Sequence, residues 1–151
     1  MAMNGAELHF LINHFPVIGF IGLIPALIAA IKVRSVDIKQ FVLIATCIVG
    51  CTSLAAYWTG EPAEDTIKTL PGVEKARIET HEEAAQYAMA WGVATGVAAG
   101  AALMLARRRV ETLRKTLPVV LGMTLMTAAA TGMTAHHGGK IRHPEIRATP
   151  E

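Results

Sequence analysis

The chain has 151 residues, 52% of them hydrophobic, with a formal net charge of +2 and a mean hydropathy of +0.41. That length fits one compact domain, and the apolar excess moves the class towards a membrane protein. A charge so close to zero gives no argument for a nucleic-acid partner. The absence of a C-x-x-C-H sequence excludes covalent c-type haem attachment.

The first segment, Glu7-Leu8-His9-Phe10-Leu11-Ile12-Asn13-His14-Phe15-Pro16, places two histidines at the mouth of an apolar run that reaches Ile31. Ionisable side chains at the entrance of a membrane helix are costly to keep and point to function. Five residues apart on an α-helix is about 140° of rotation, so His9 and His14 face different neighbours. No basic region precedes the run, which reads as a retained first span and not as a removed signal peptide. Residues 10–31 are long enough at about 1.5 Å per residue to cross a hydrocarbon core of about 30 Å, with a kink expected at Pro25.

Three further apolar runs follow at 41–58, 84–106 and 117–135, each uncharged through its centre. The predicted fold is all-α: one four-span membrane bundle. Cys47 and Cys51, one turn apart in the second run, read as small hydrophobes. Between the second and third spans, Gly60-Glu61-Pro62 reads as a turn and residues 63–70 as a short interfacial helix that Pro71-Gly72 ends. From Val73 the pattern stays helical into the third span, which places His81 on an extended helix within the 59–80 loop region and its junction. After the fourth span, Gly138-Gly139 predicts a sharp reversal into a polar tail over 138–151.

Lys32, Arg34 and Lys39 lie between the first two spans, and Arg107, Arg108, Arg109, Arg114 and Lys115 between the last two. Eight of the 14 basic residues thus share one side, which the positive-inside rule makes cytoplasmic. Both termini and the middle loop then face outwards from a bacterial inner membrane. All six histidines (His9, His14, His81, His136, His137 and His143) fall on that outer side. A lone interfacial histidine is usually a solvated or hydrogen-bonded residue, but their convergence favours a ligand site.

Imidazole suits haem iron, zinc and copper. Zinc would want thiolates, carboxylates or close H-x3-H spacing, which these histidines lack. Copper(I) would want thioethers, whereas Met89, Met104, Met123, Met126 and Met133 read as scattered core filler. Haem b needs only one histidine from each of two facing helices, and Lys140, Arg142 and Arg77 could pair with propionates. Gly92, Gly96 and Gly100 give the third span a smooth face, either for close helix packing or for clearance of a flat macrocycle. The hydroxyls within the spans (Thr46, Thr52, Ser53, Thr95, Thr124, Thr127 and Thr131) can bond back to their own helices and outline no ion path. No nucleophile–base pair or phosphate loop is visible, which argues against hydrolysis.

The H-x4-H-F-P entrance at His9 to Pro16 is joined by Thr59-Gly60-Glu61-Pro62-Ala63-Glu64, Leu70-Pro71-Gly72-Val73 and His81-Glu82-Glu83-Ala84-Ala85. With Gly138-Gly139-Lys140-Ile141-Arg142-His143-Pro144-Glu145-Ile146-Arg147, the set resembles bacterial four-span membrane proteins of the domain-of-unknown-function class. The pattern is similar to that of membrane b-type cytochromes and covers the whole chain. The resemblance implies His9, His14, His81 and His143 as ligands of one or two haems; because His14 lies deeper than His9, the expected pairs are His14 with His81 and His9 with His143. That pattern carries asparagine-leucine at 136 and 137, so His136 and His137 depart from it. Bis-histidine iron has no open position, which implies one-electron transfer with quinol or an exported carrier, and not a stand-alone enzyme. Two alternatives stand beside haem: a copper- or zinc-binding sensor or transporter component, and a structural membrane subunit without cofactor. A homo-oligomer is compatible with each.

Overall fold

A computed structural model describes residues 3–147. It is all-α: α1 (Gly5–Lys32), α2 (Val36–Trp58), short α3 (Gly60–Ile67), α4 (Lys75–Arg108) and α5 (Leu113–Arg142). All four long helices are long and apolar enough to cross a membrane. Short connections join α1 to α2 and α4 to α5, the longer segment with α3 joins α2 to α4, and the helices pack in a ring in which α1 touches α2 and α5, while α4 touches α2 and α5.

Local chemistry explains the helix limits. Asn4 starts α1 with a capping box: Glu7 N–H donates to Asn4 Oδ1 at 2.9 Å, and Asn4 N–H donates to Glu7 Oε2 at 3.0 Å. Ser35 Oγ accepts from Ile38 N–H at the start of α2. Pro16 and Pro25 both sit within α1, which runs uninterrupted past them. Between α3 and α4 the chain turns at Leu70-Pro71-Gly72-Val73. Pro71 presets the second position, and Gly72, at φ +77°, takes the left-handed third position of a type II turn. α4 begins at Lys75, so His81 does lie on an extended helix, as its sequence predicts.

Several expectations fail. Gly60-Glu61-Pro62 is not a separate turn but the first turn of α3, which starts and ends three residues earlier than the predicted 63–70 helix because the chain passes directly from α2 into it. Cys51 is exposed on the outside of α2. Gly138 and Gly139 do not reverse the chain: α5 continues through them to Arg142, and only then does a 3-10 turn, Pro144–Ile146, bend the chain away. Both glycines are there for space. A Cβ on Gly138 would lie 3.0 Å from the His81 ring, and one on Gly139 would lie 3.2 Å from Ile146. Nor are the methionines all core filler, since Met104, Met126 and Met133 are exposed on the outside of the bundle. With Phe10, Phe15, Ile18, Ile48 and Val97 they form the apolar exterior expected of lipid-facing helices.

The interior changes character along its length. Towards the end that carries the basic loops, Leu27, Leu43, Leu113, Leu117 and Val120 pack with Ala30, Ala99, Ala102 and Ala106, and the Phe20 ring reaches up to the level of Gly92. From the middle towards the histidine end most buried residues are small or hydroxylated (Gly50, Gly92, Ser53, Thr95, Thr124, Thr127 and Thr131), with Ile78 and Ile141 buried beyond them. The glycine row is spent on helix packing. A Cβ on Gly50 would lie 2.8 Å from Gly96 Cα and 2.9 Å from the Gly92 carbonyl, while one on Gly92 would collide with Ser53 Oγ. The backbones of α2 and α4 therefore meet directly, as small-residue faces allow in membranes. Across the same contact the Cys47 thiol donates to the Gly96 carbonyl at 3.4 Å.

Candidate functional site

The start of α1, the end of α2, the start of α4 and the end of α5 gather at one end of the bundle, and the sequence-predicted histidines gather with them. His9 and His81 meet, with ring centroids 6.4 Å apart and planes nearly perpendicular. Both are partly buried. Each ring is oriented by a second helix. His81 Nδ1–H donates to the Thr134 carbonyl on α5 at 3.0 Å. His9 Nδ1 lies 3.0 Å from Thr59 Oγ1, just beyond α2. The Thr59 hydroxyl already has carbonyl acceptors in Ala55 and Ala56, so His9 Nδ1–H is the donor. This network puts a proton on Nδ1 of both rings, so in the neutral imidazole Nε2 of each is the acceptor.

His14 and His143 do not join this pair. His14 is exposed, and its Nδ1–H donates to the Phe10 carbonyl of its own helix at 2.6 Å, with the Phe10 ring edge-on beside it. The 140° argument is correct about the divergence of His9 and His14. The pairing of His14 with His81 is not what the fold brings together: His9 faces inward instead. His143 is exposed beyond α5 and bonds Glu145 at 2.8 Å. The backbone N–H of Glu145 first, and then the His143 imidazole, hold that carboxyl below the usual carboxylate range. His136 is exposed and His137 half-buried, with ring centroids 6.0 Å apart.

The haem reading is corrected here. Among the described residues, no three or more His, Cys, Asp or Glu side chains gather into a metal-holding group. The glycine face that would have cleared a macrocycle is closed by α2, and the His81 ring lies against Gly138 on α5. His14 and His143, half of the expected ligand set, are spent on local partners. The cytochrome assignment therefore has no site to rest on.

The basic residues expected beside propionates divide in the same way. Arg142 is exposed, Lys140 is half-buried, and Arg77 pairs with Glu74 at 3.0 Å on its own helix. The residue that organises this end is Arg147, which sequence reasoning passed over. Its guanidinium donates to the carbonyls of Lys140 (3.0 Å) and Ile141 (2.9 Å), to Glu74 Oε1 (3.0 Å) and to the Gly72 carbonyl (3.3 Å). It satisfies carbonyls that the end of α5 leaves without helical donors and fastens the tail to the turn before α4. The only sequence signal for it was an arginine three residues after Pro144, just beyond the end of α5.

The fold and this end define a class: an all-α four-helix bundle with helices of membrane-spanning length. Comparison of the chain with protein families, curated proteins and solved structures finds no match to any of them.

Proposed function

We propose that the chain is a structural membrane subunit, in which the histidines at one end join helices and do not hold a prosthetic group. The observation that carries this reading is the use made of the two rings that meet. His9 ties α1 to the end of α2 and His81 ties α4 to α5, each through an Nδ1–H bond of 3.0 Å. Such cross-helix bonds are among the forces that hold bundles together in lipid, where apolar burial between helices gains little. Hydroxyls serve the same purpose further in, with Thr95 and Thr127 bonding between α4 and α5 at 2.8 Å. We place the histidine end and both termini on the outer side of the cytoplasmic membrane, because the eight basic loop residues lie at the other end.

One observation favours a second reading, copper binding: the His9 and His81 rings meet with centroids 6.4 Å apart, each oriented through Nδ1, as metal-ligating imidazoles are. One experiment separates the two. The protein is expressed with ample haem and copper, extracted in mild detergent, cross-linked, and examined by visible spectroscopy and metal analysis. The structural reading expects a colourless protein with substoichiometric metal that cross-links into a larger membrane assembly. One copper per chain, lost in both His9→Ala and His81→Ala, would transfer the assignment to metal handling. In the same membranes, a reporter at Ser35 should sit in the cytoplasm and one after Glu151 outside; the reverse would overturn the orientation.

A further inference from the structure

At the opposite end lies a cleft of about 380 Å³ bordered by Ile31, Val33, Leu113 and Leu117 together with Lys32, Arg34, Lys39 and Arg114. Its four cations come from the end of α1, the α1–α2 connection, α2 and α5. None of the four makes an ion pair among the described residues, where every salt bridge lies in segments 65–79 and 143–147. The acids nearest in sequence are Asp37 and Glu111, both exposed, against eight bases in the two loops. Leu113 and Leu117 are buried, so the inner wall is hydrocarbon, while Arg34 and Arg114 stand exposed at the rim.

We infer that this cleft is a binding site for the phosphate headgroup of an anionic phospholipid. The inference rests on the membrane placement of the spans proposed above, but not on what the histidines do. Its position supplies the argument. The cleft sits where the apolar runs of α1 and α5 end, so headgroup and acyl chain are met at their natural depths. Cations clustered between helices at this level recognise anionic headgroups. Three or four of them can share the oxygens of one phosphodiester by charge-assisted bonds. The apolar wall of Ile31, Val33 and Leu117 then receives the first methylenes of the chains, which a free phosphate does not have. The volume falls at the lower part of the range of small-molecule sites, adequate for a headgroup but not for a whole lipid.

The full chain is placed in nanodiscs of phosphatidylcholine with one quarter phosphatidylglycerol, released in the mass spectrometer, and its retained lipids are counted. The wild type should keep one phosphatidylglycerol in preference to phosphatidylcholine. Arg34→Ala with Arg114→Ala, both at exposed positions, should weaken retention by about twenty-fivefold, at about fivefold for each cation. Lys140→Ala with Arg142→Ala removes the same charge from the other end and should change nothing. Millimolar inorganic phosphate should not displace the lipid. Equal retention of phosphatidylcholine, equal loss in the Lys140/Arg142 variant, or displacement by phosphate would each overturn the site. A chain that fails to enter nanodiscs would overturn the membrane placement itself, and the lipid site with it, a result distinct from entry without lipid preference.

Discussion

The two ends of the bundle are built on different principles. Near the basic loops, Leu27, Leu43, Leu117 and Val120 of α1, α2 and α5 fill the interior against Ala99, Ala102 and Ala106 of α4. Towards the histidines the same helices approach closely through Gly50, Gly92 and Gly96 and are tied by hydroxyl and imidazole hydrogen bonds. The difference teaches how a bundle of long apolar helices can be held twice over. Dispersion scales with contacts, and both large interdigitated side chains and bare backbones in contact supply them. Only the second arrangement leaves polar groups near enough to bond across helices.

The sharpest break should come from adding volume where backbones touch. Gly50→Val has no flexible side chain to push aside, only Gly96 Cα and the Gly92 carbonyl. It should cost about 3 kcal/mol by overpacking, measured as a lowered unfolding midpoint in detergent. A neutral result would mean that α2 and α4 do not approach as closely as described.

At the other end, volume should be costly to remove. Leu43→Ala, at a fully buried position, should cost about 2 kcal/mol through the cavity it leaves. If Leu43→Ala were silent while Gly50→Val unfolded the protein, the large-residue core would contribute little and the two ends would not be equal partners.

The smallest effect is a change of sign. Gly138→Ala places a methyl 3.0 Å from the His81 ring and should destabilise the wild type slightly. In a His81→Ala background the ring is gone, and the same substitution should stabilise α5 by about 1 kcal/mol, the helix propensity difference between the residues. A stabilising effect in both backgrounds would show that His81 does not rest on Gly138.

How much of this was legible beforehand differs between fold and site. The four spans, the break at Pro71-Gly72 and the helical setting of His81 all follow from local pattern: apolar runs of membrane length, a turn dipeptide and an uninterrupted helical stretch. The histidines also gather at one end, as topology alone requires. Their roles were not legible. His9 and His14 look alike in sequence, each in an apolar run, and the 140° between them guarantees that their surroundings differ without saying which one faces in. Only the packing of α1 against α2 and α5 turns His9 towards His81 and leaves His14 beside Phe10.

The glycines and Arg147 carry the same lesson. Gly138-Gly139 reads as a turn because glycine weakens helices, but helix α5 keeps both, and a ring from α4 occupies the space that Gly138 provides. Gly92 and Gly96 allow either a packed helix or an open groove, and the choice belonged to Gly50 and Ser53, more than 35 residues away in the chain. Arg147 joins carbonyls of α5 to Glu74 across 73 positions of sequence. Hydropathy and turn chemistry act over a few residues, so the sequence by itself determined the spans, their order and the end at which the histidines collect. Which side chains meet depends on the rotation and separation of packed helices, set by contacts between distant segments, and that only the tertiary structure decided.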